Sequence, residues 1–394
     1  MIKGLKDIDF KNKRVIIRCD FNVPIKNGVI TDDNRIVESL DTIKYVLDKN
    51  TKIILMSHLG RIKEEEDKKK NSLRPVATRL SELLGKKVVF VDETRGSVLE
   101  KTINNMEYKD IILIENTRYE DLPNKLESGN DTKLAKYWAS FADVFVNDAF
   151  GTLHRAHASN VGIAKFLPSC IGFLVEKEIK ELDILLNDTK KPYTVILGGA
   201  KMNDKIGIID SLIEKCDHIL LGGGIANTFL TAKGYDLKKS IYDEESINHC
   251  KMLLKKYNQK IILPVDGYAS KDYQDGLDVN YFMLDSVEKD NMILDIGPES
   301  IKLFSEYLRK SKTVFWNGPV GVSEFKNFEY GTKSLCNELS KLNADVIVGG
   351  GDSAAAVIRF GYKNKFTHVS TGGGASLEYI EGKKLPGLEC INSK

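Results

Sequence analysis

Polar and charged side chains, most of them able to bind anions, stand after short apolar runs or before a helix in the first half of this sequence. They are Asp20 and Asn22 in DFNVP, His58 and Arg61 in SHLGR, Arg118 in ENTR, Arg155 in GTLHRAH and Arg35 in TDDNRI. Guanidinium groups match phosphate and carboxylate groups through paired hydrogen bonds. Each of these residues alone is more often a salt-bridge or capping residue. Because they are expected near the carboxyl ends of neighbouring strands, together they favour a small ligand with several negative charges.

The second half has a different pattern, in which glycine-rich turns follow the apolar runs. These turns lie at 198–201, 222–224, 349–352 and 372–374. Backbone without a Cβ can approach a phosphate closely, and a following helix N-terminus supplies oriented N–H groups. The pattern predicts a lobe that binds phosphates through its backbone. The two halves together indicate a transferase with two different phosphorylated ligands.

Three charged residues beside these turns can be interpreted in two ways. Lys201 and Lys205 flank a helix start and could clamp phosphates, but Asn203 and Asp204 between them are also ordinary N-caps. Asp352 could cap a helix or bind a Mg²⁺ ion held by nucleotide phosphates. The sequence has neither GxxxxGK[ST] nor an HRD/DFG set, so it does not support a P-loop or protein-kinase framework.

Short β-branched runs alternate with amphipathic stretches along the chain, and this alternation predicts the fold. Continuous apolar strands between helices indicate parallel sheets covered on both faces. About twelve strands are too many for one ordinary sheet. We therefore predict an α/β protein with two doubly wound parallel-sheet (Rossmann-like) domains joined by a hinge helix. That helix is predicted at FLVEKEIKELDILLN, although an ordinary sheet-covering helix fits this segment equally well.

Composition narrows the function classes. The formal net charge of +2 and the absence of a basic stripe with interleaved aromatics argue against nucleic acid as a partner. No apolar run approaches the roughly 18 residues of a membrane span, and the N-terminus has no apolar signal region. The six cysteines form no metal-pair or CxxC spacing, so we expect reduced thiols in a cytoplasmic protein that acts as a monomer.

The longer motifs resemble one known family. In order, the chain contains DFNVP, SHLGR, VNDAFGTLHRAHAS, LGGAKMNDKI, FWNGPVGVSEF, IVGGGDSAAA and STGGGASLEYIEGKKLPG. These motifs resemble the phosphoglycerate kinase family over essentially the whole chain. The resemblance implies a Mg²⁺-dependent glycolytic reaction, the reversible transfer of the acyl phosphate of 1,3-bisphosphoglycerate to ADP, which gives 3-phosphoglycerate and ATP.

The resemblance also implies domain limits and residue roles. It implies a glycerate-binding domain at 1–170, with about 377–394 packing back on it, an interdomain helix at 171–188 and a nucleotide-binding domain at 189–376. The glycerate ligand would contact Asp20, Phe21, Asn22, Arg35, His58, Leu59, Gly60, Arg61, Arg118 and Arg155. The nucleotide would contact Gly199, Ala200, Lys201, Lys205, Gly223, Gly224, Gly297, Asn317, Pro319, Glu324, Gly350, Gly351, Asp352 and Ser353, with Asp352 also on the metal ion. Direct roles in the transfer would belong to Arg35, Lys201, Lys205, Gly351 and Gly373.

A few positions depart from the family's pattern. Ser323 stands where many members have a bulky aromatic residue, Ser353 replaces a frequent threonine, and the stretch 119–131 is less typical. None of these changes affects a charge-bearing position. They bear on nucleotide preference and leave the expected reaction unchanged.

The residues also suit the chemistry of such a transfer. A carboxylate and a nucleotide phosphate are both ionised at neutral pH, so no general base is needed, and we expect His58 to bind rather than to catalyse. The reaction needs charge neutralisation on the phosphoryl group and exclusion of water, which two closing lobes would provide. A nicotinamide-dependent oxidoreductase is the alternative enzyme, but the first βα region lacks GxGxxG. A phosphometabolite-binding protein without activity is the non-catalytic alternative.

Overall fold

A computed structural model describes residues 2–187, 189–276 and 278–392, which form two compact units. Unit 1 comprises Met1–Lys180 and Lys384–Lys394, and unit 2 comprises Glu181–Lys383. Each unit has a six-stranded parallel sheet with flanking helices, which confirms the predicted α/β class with two parallel sheets. Position 188 of the predicted interdomain helix and positions 393–394 of the predicted C-terminal segment lie outside the described residues.

Among its described residues, unit 1 has eight strands and, before the chain enters unit 2, seven α-helices. The strands are β1 (Arg14–Cys19), β2 (Ile25–Lys26), β3 (Val29–Ile30), β4 (Lys52–Met56), β5 (Val88–Val91), β6 (Ile111–Ile114), β7 (Val144–Asp148) and β8 (Ser169–Ile171). The helices are α1 (Asn34–Glu38), α2 (Leu40–Leu47), α3 (Glu65–Lys70), α4 (Arg74–Leu84), α5 (Ser97–Asn104), α6 (Thr132–Ala139) and α7 (Phe173–Asn187), the last of which continues into unit 2. The sheet order is β5-β6-β4-β1-β7-β8, and β2 and β3 form a separate hairpin.

The central position of β1 follows from its composition. It pairs in parallel with β4 on one side and with β7 on the other. Val15 and Ile17 pack into one apolar cluster, whereas Ile16 packs into the cluster on the opposite face of the sheet. Burial of each such side chain contributes about 1.5–3 kcal/mol, so a strand that is apolar on both faces belongs in the middle of the sheet. The strand order reverses at β1, and the carboxyl end of β1 is therefore a topological switch point.

Unit 2 repeats this architecture and adds a small antiparallel sheet. The strands are β9 (Tyr193–Leu197), β10 (His218–Leu221), β11 (Ile261–Ile262), β12 (Asp266–Ser270), β13 (Asn280–Met283), β14 (Met292–Ile296), β15 (Thr313–Asn317), β16 (Asp345–Gly349) and β17 (His368–Val369). The helices are α8 (Ile206–Leu212), α9 (Gly223–Ala232), α10 (Ile247–Tyr257), α11 (Pro298–Leu308), α12 (Tyr330–Leu339), α13 (Gly351–Arg359) and α14 (Gly374–Ile380), and α15 (Pro386–Asn392) then returns to unit 1.

The parallel sheet of unit 2 has the order β11-β10-β9-β15-β16-β17, so its switch point lies between β9 and β15. The apolar run of β14 follows the general pattern that predicts parallel strands, but β14 instead pairs antiparallel with β12, which also pairs antiparallel with β13. Its apolar run is as short as that of a parallel strand, and the sequence alone does not reveal the direction of its partner. No helix in the described part of the chain is long and apolar enough to span a membrane.

Candidate functional site

The predicted anion-binding residues of unit 1 lie on loops that leave one edge of its sheet. DFNVP follows β1, SHLGR follows β4, ENTR follows β6 and GTLHRAH follows β7. These strands are parallel and adjacent, so their carboxyl ends meet at the same edge. The tertiary structure therefore brings together four motifs that lie far apart in the sequence.

Hydrogen bonds between the loops hold this edge in shape. Phe21 donates its backbone N–H to Ser57 Oγ at 2.8 Å, and Gly60 donates its N–H to Asn22 Oδ1 at 2.9 Å. Asn116 ties its own loop to the SHLGR loop, because its Oδ1 accepts from the backbone N–H of Leu59 at 3.1 Å and, within its own loop, from that of Arg118 at 3.1 Å. The backbone N–H groups of Phe21, Leu59 and Gly60 therefore help to hold the loops of this edge together.

Arg35 lies at the start of α1 and forms an ion pair with Asp20. The Arg35 side chain is 29% exposed and that of Asp20 only 5%, so Asp20 orients a guanidinium that still reaches solvent. Asp20 was predicted to contact the ligand. In this structure its carboxylate holds an arginine, which is a supporting contact for an anion site.

The electrostatic environment of this edge is strongly positive. Burial lowers the pKa of His58 well below its usual value, and Arg18 and Arg118 lower it further. Burial, Arg18, Arg118 and Arg155 lower the pKa of His157 to about 3. Both imidazoles are therefore neutral at pH 7. Burial is the main cause of this neutrality, and the arginines that add to it also provide a favourable field for a ligand with several negative charges.

The arginines differ in exposure. Arg118 is 7% exposed, and its Nε is buried without a hydrogen-bond partner among the described residues. Arg61 and Arg155 are exposed, and Arg155 donates from Nε to His154 Nε2 at 3.0 Å. Buried polar groups are rarely left without partners. The orphaned donor of Arg118 is therefore the strongest local indication of a ligand in unit 1.

Two buried residues of this edge were not predicted from the sequence. Arg18 is the penultimate residue of β1 and has no exposed surface, and Glu127 is equally buried in the loop before α6. Arg18 looks like a polar interruption of an apolar strand, and Glu127 lies in a loop of mixed charge. Charged residues are almost never fully buried unless they are paired, so burial is the signal that identifies them.

In unit 2 the candidate site lies at the switch point between β9 and β15. Gly198 follows β9 and donates its N–H to the carbonyl of Asn317, the last residue of β15. A Cβ on Gly198 would lie 2.0 Å from the carbonyl oxygen of Pro319, and Gly318 adopts a φ of +87°. Only glycine permits this close approach of the two turns. The turns leave a crevice at the carboxyl ends of the strands.

A cavity with a volume of about 760 Å³ opens beside this crevice. It is large enough for a nucleoside with phosphates. Seven of the predicted nucleotide residues line it, namely Gly199, Ala200, Gly223, Gly224, Pro319, Glu324 and Asp352. Tyr273 and Arg359 also line the cavity and were not predicted. The Tyr273 hydroxyl lies 3.3 Å from Glu324 Oε1, and Arg359 donates to the backbone carbonyl of Ser323.

The next residues along the crevice suit phosphate groups. Lys205 donates to Asn317 Oδ1, and the Nδ2 of Asn317 is buried without a partner among the described residues. Burial lowers the pKa of Lys205, whereas Asp204, Asp352 and Glu381 oppose this effect. Ser353 is buried, donates to the carbonyl of Gly349 and accepts from Gly318 at 3.1 Å, so its hydroxyl ties two turns together.

Other predicted residues lie outside the cavity wall. Lys201 is exposed in the turn before α8, Gly350 and Gly351 begin α13, and Gly373 is the N-cap of α14 with a φ of +52°. Gly297 begins α11, where an added Cβ would lie 2.3 Å from Asp266 Oδ2. Its packing against Asp266 is a sufficient reason for glycine at this position. Nucleotide contact by Gly297 stays a prediction.

The acidic side chains beside this cavity are compatible with a metal ion that is bound to the nucleotide. No cluster of three or more histidine, cysteine or acidic side chains suited to a metal occurs among residues 2–187, 189–276 and 278–392. Asp352, in the first turn of α13, is an acidic side chain on the cavity wall beside the phosphate residues. Mg²⁺ typically keeps its water and phosphate ligands and takes one or two protein carboxylates. A single aspartate therefore fits a nucleotide-bound Mg²⁺.

Comparison with known proteins identifies the family. The family model described as phosphoglycerate kinase matches residues 5–383. The phosphoglycerate kinase of Enterococcus faecalis is 55% identical over 394 residues, which cover 100% of this chain and 99% of that protein. The phosphoglycerate kinase of Fusobacterium nucleatum is 53% identical over 398 residues and covers 100% of both chains.

Solved structures agree in fold. A phosphoglycerate kinase from Coxiella burnetii has a TM-score of 0.86 and 37% identity, and it covers 100% of this chain and 99% of its own. The phosphoglycerate kinase from Pyrococcus horikoshii has a TM-score of 0.87 and 32% identity, and it covers 100% of this chain and 98% of its own. With the arginine-bearing edge, the glycine-lined cavity and the full-length similarity together, the chain belongs to the phosphoglycerate kinase family.

Proposed function

We propose that this protein catalyses the reversible transfer of the acyl phosphate of 1,3-bisphosphoglycerate to ADP, which gives 3-phosphoglycerate and ATP. Full-length membership of the phosphoglycerate kinase family carries this conclusion. The two kinds of site support it, since one unit presents arginines and the other presents glycine-rich turns beside a cavity. The acidic glycerate ligand belongs at the arginine edge of unit 1, and the nucleotide belongs in the cavity of unit 2.

The chemistry requires positioning and charge neutralisation. The attacking oxygen, whether of a carboxylate or of a nucleotide phosphate, is already ionised, so no proton has to be removed. The lowered pKa values of His58 and His157 also make both imidazoles weak bases. Arg35, Lys205 and the backbone N–H groups at the start of α13 would stabilise the negative charge on the phosphoryl group.

Mg²⁺ would be held by Asp352 and the nucleotide phosphates, and when bound it neutralises phosphate charge. Direct transfer also requires that the two ligands meet without water between them. We propose that the two units close around the loaded pair. The protein would act as a monomer in the cytoplasm, and its free cysteines suit a reducing compartment.

A coupled assay with 3-phosphoglycerate and MgATP tests the function. We expect the folded protein to consume ATP only when both 3-phosphoglycerate and Mg²⁺ are present. The reverse reaction should form ATP from 1,3-bisphosphoglycerate and ADP. Absence of turnover by folded protein would favour a binding protein without activity. Turnover of a nicotinamide cofactor would refute the assignment.

Asp352→Ala should weaken the binding of MgADP by about tenfold and leave the binding of metal-free ADP within about twofold. The reason is that the carboxylate would act through the ion, and one lost charge-assisted contact costs about 1.5 kcal/mol. Isothermal titration calorimetry with and without EDTA measures both affinities. Asp345→Ala is the matched control, because Asp345 starts β16 at the opposite end of the strand and pairs with Lys190 at 2.9 Å. Equal losses for both forms of ADP would show that Asp352 does not act through the metal ion.

A further inference from the structure

A chain of buried polar groups connects Glu127 to His58 behind the arginine edge of unit 1. The Glu127 carboxylate accepts from the backbone N–H of Ser159 at 2.9 Å and also from the Ser159 hydroxyl. Ser159 Oγ accepts from Arg18 Nε at 2.9 Å. Arg18 Nη2 then lies 3.3 Å from His58 Nδ1. Glu127, Ser159 and Arg18 have no exposed surface, so none of the three can contact a ligand directly.

The direction of each hydrogen bond in this chain follows from the chemistry of the groups. The serine hydroxyl has one hydrogen, which it gives to Glu127, and its lone pair therefore receives the Arg18 donor. A guanidinium can only donate. His58 Nδ1 must then be the acceptor, and in a neutral imidazole the proton is left on Nε2.

Burial and, after it, the surrounding charges keep the ring of His58 neutral, so the choice of tautomer matters. Burial lowers the pKa of His58, and Arg18, Arg118, His157 and Arg35 act in the same direction. Glu127 supplies the counter-charge that lets Arg18 remain buried. An unpaired guanidinium at this depth would cost several kcal/mol. The carboxylate thus stabilises the arginine that selects the histidine tautomer.

We propose that Glu127, Ser159 and Arg18 are positioning residues that hold His58 as the Nε2–H tautomer, so that the ring donates to an acidic ligand oxygen. The identity of that ligand as 3-phosphoglycerate rests on the proposed function. The tautomer itself does not, because it follows from hydrogen bonds between groups of the protein. A ring protonated at Nδ1 would instead present the lone pair of Nε2 to the anion, and this lone pair would repel the anion.

Ser159→Ala is the sharpest test, because it removes one hydroxyl from the middle of the chain. In ¹⁵N-histidine-labelled wild-type protein without ligand, we expect His58 to show the Nε2–H tautomer from pH 5 to pH 8. The His58 signals are identified by their loss in His58→Gln. In Ser159→Ala the two ring nitrogens should shift towards a mixture of tautomers, since Arg18 is no longer held.

The kinetic effect should be confined to one substrate. We expect Ser159→Ala to raise the KM for the glycerate substrate about tenfold, because this corresponds to the loss of about one hydrogen bond to a charged group. The kcat and the KM for ATP should stay within a few-fold of their wild-type values. Ser169→Ala is the matched control. Ser169 is a buried serine of unit 1, and its hydroxyl donates to the carbonyl of Leu167 at 2.7 Å, outside this chain of hydrogen bonds. It should change neither the tautomer nor either KM.

If circular dichroism shows that Ser159→Ala does not fold, Arg18→Lys provides the same test. Lysine keeps the positive charge but lacks the fork that contacts Ser159 and His58 together. A wild-type Nδ1–H tautomer would overturn the proposal. It would equally be overturned by a folded Ser159→Ala with unchanged ring shifts and an unchanged KM for the glycerate substrate. Inactive wild-type protein with the Nε2–H tautomer would refute the proposed reaction and leave the tautomer assignment standing.

Discussion

Arg35→Ala should lower kcat by about 10³-fold or more and change the KM for either substrate by only a few-fold. Arginines that reach a transferring phosphoryl group typically contribute this much. Arg35 has the features of such a group, because it starts α1, is partly exposed and is oriented by Asp20. An interaction made only in the transition state lowers kcat and kcat/KM together. Steady-state kinetics with each substrate varied in turn measure the effect.

Arg79→Ala is the matched control for Arg35. Arg79 is a partly exposed arginine of unit 1 that pairs with Asp33 at 2.8 Å and Glu82 at 2.7 Å, and its loss should leave kcat within about twofold. Wild-type protein should also become more compact in solution scattering with both ligands than with either alone. A normal kcat with a greatly raised KM for the glycerate substrate would show that Arg35 acts on the ground state.

Arg118→Ala should weaken the binding of 3-phosphoglycerate about 100-fold and leave that of ADP unchanged. The side chain is nearly buried and its Nε has no described partner, so a bound anion would receive a charge-assisted hydrogen bond in a shielded environment. Loss of such contacts costs about 3 kcal/mol. Calorimetric titration of each ligand alone separates the two sites.

Arg14→Ala is the control for Arg118. Arg14 is the first residue of β1, at the opposite edge of the same sheet, and donates to the carbonyl of Phe141 at 3.3 Å. Its loss should not change the affinity for either ligand. Equal weakening of both ligands by Arg118→Ala would contradict their assignment to different units.

Much of the fold could be predicted because the strands are short apolar runs between amphipathic stretches. The grouping of the motifs could also be predicted, since DFNVP, SHLGR and ENTR each follow such a run and parallel strands share one carboxyl edge. The small strands β12 and β13 were not predicted. The sequence of β12, DGYAS, has no continuous apolar run, and that of β13, NYFM, has a run of only three residues; an antiparallel pair also depends on a partner that the local sequence does not specify.

The amino-acid sequence by itself predicted the class of ligand, because several arginines after neighbouring strands, together with several glycine-rich turns before helices, favour phosphorylated ligands although each residue alone has ordinary structural uses. Only the tertiary structure decided what each side chain contacts. Arg18 looks like one polar residue in an apolar strand, yet it meets Ser159, which is 141 positions away. Such contacts depend on the order of the strands and the packing of the loops, and both result from many weak interactions across the chain. The sequence therefore supplied the charges, and the fold decided which of them support the site and which remain available to a ligand.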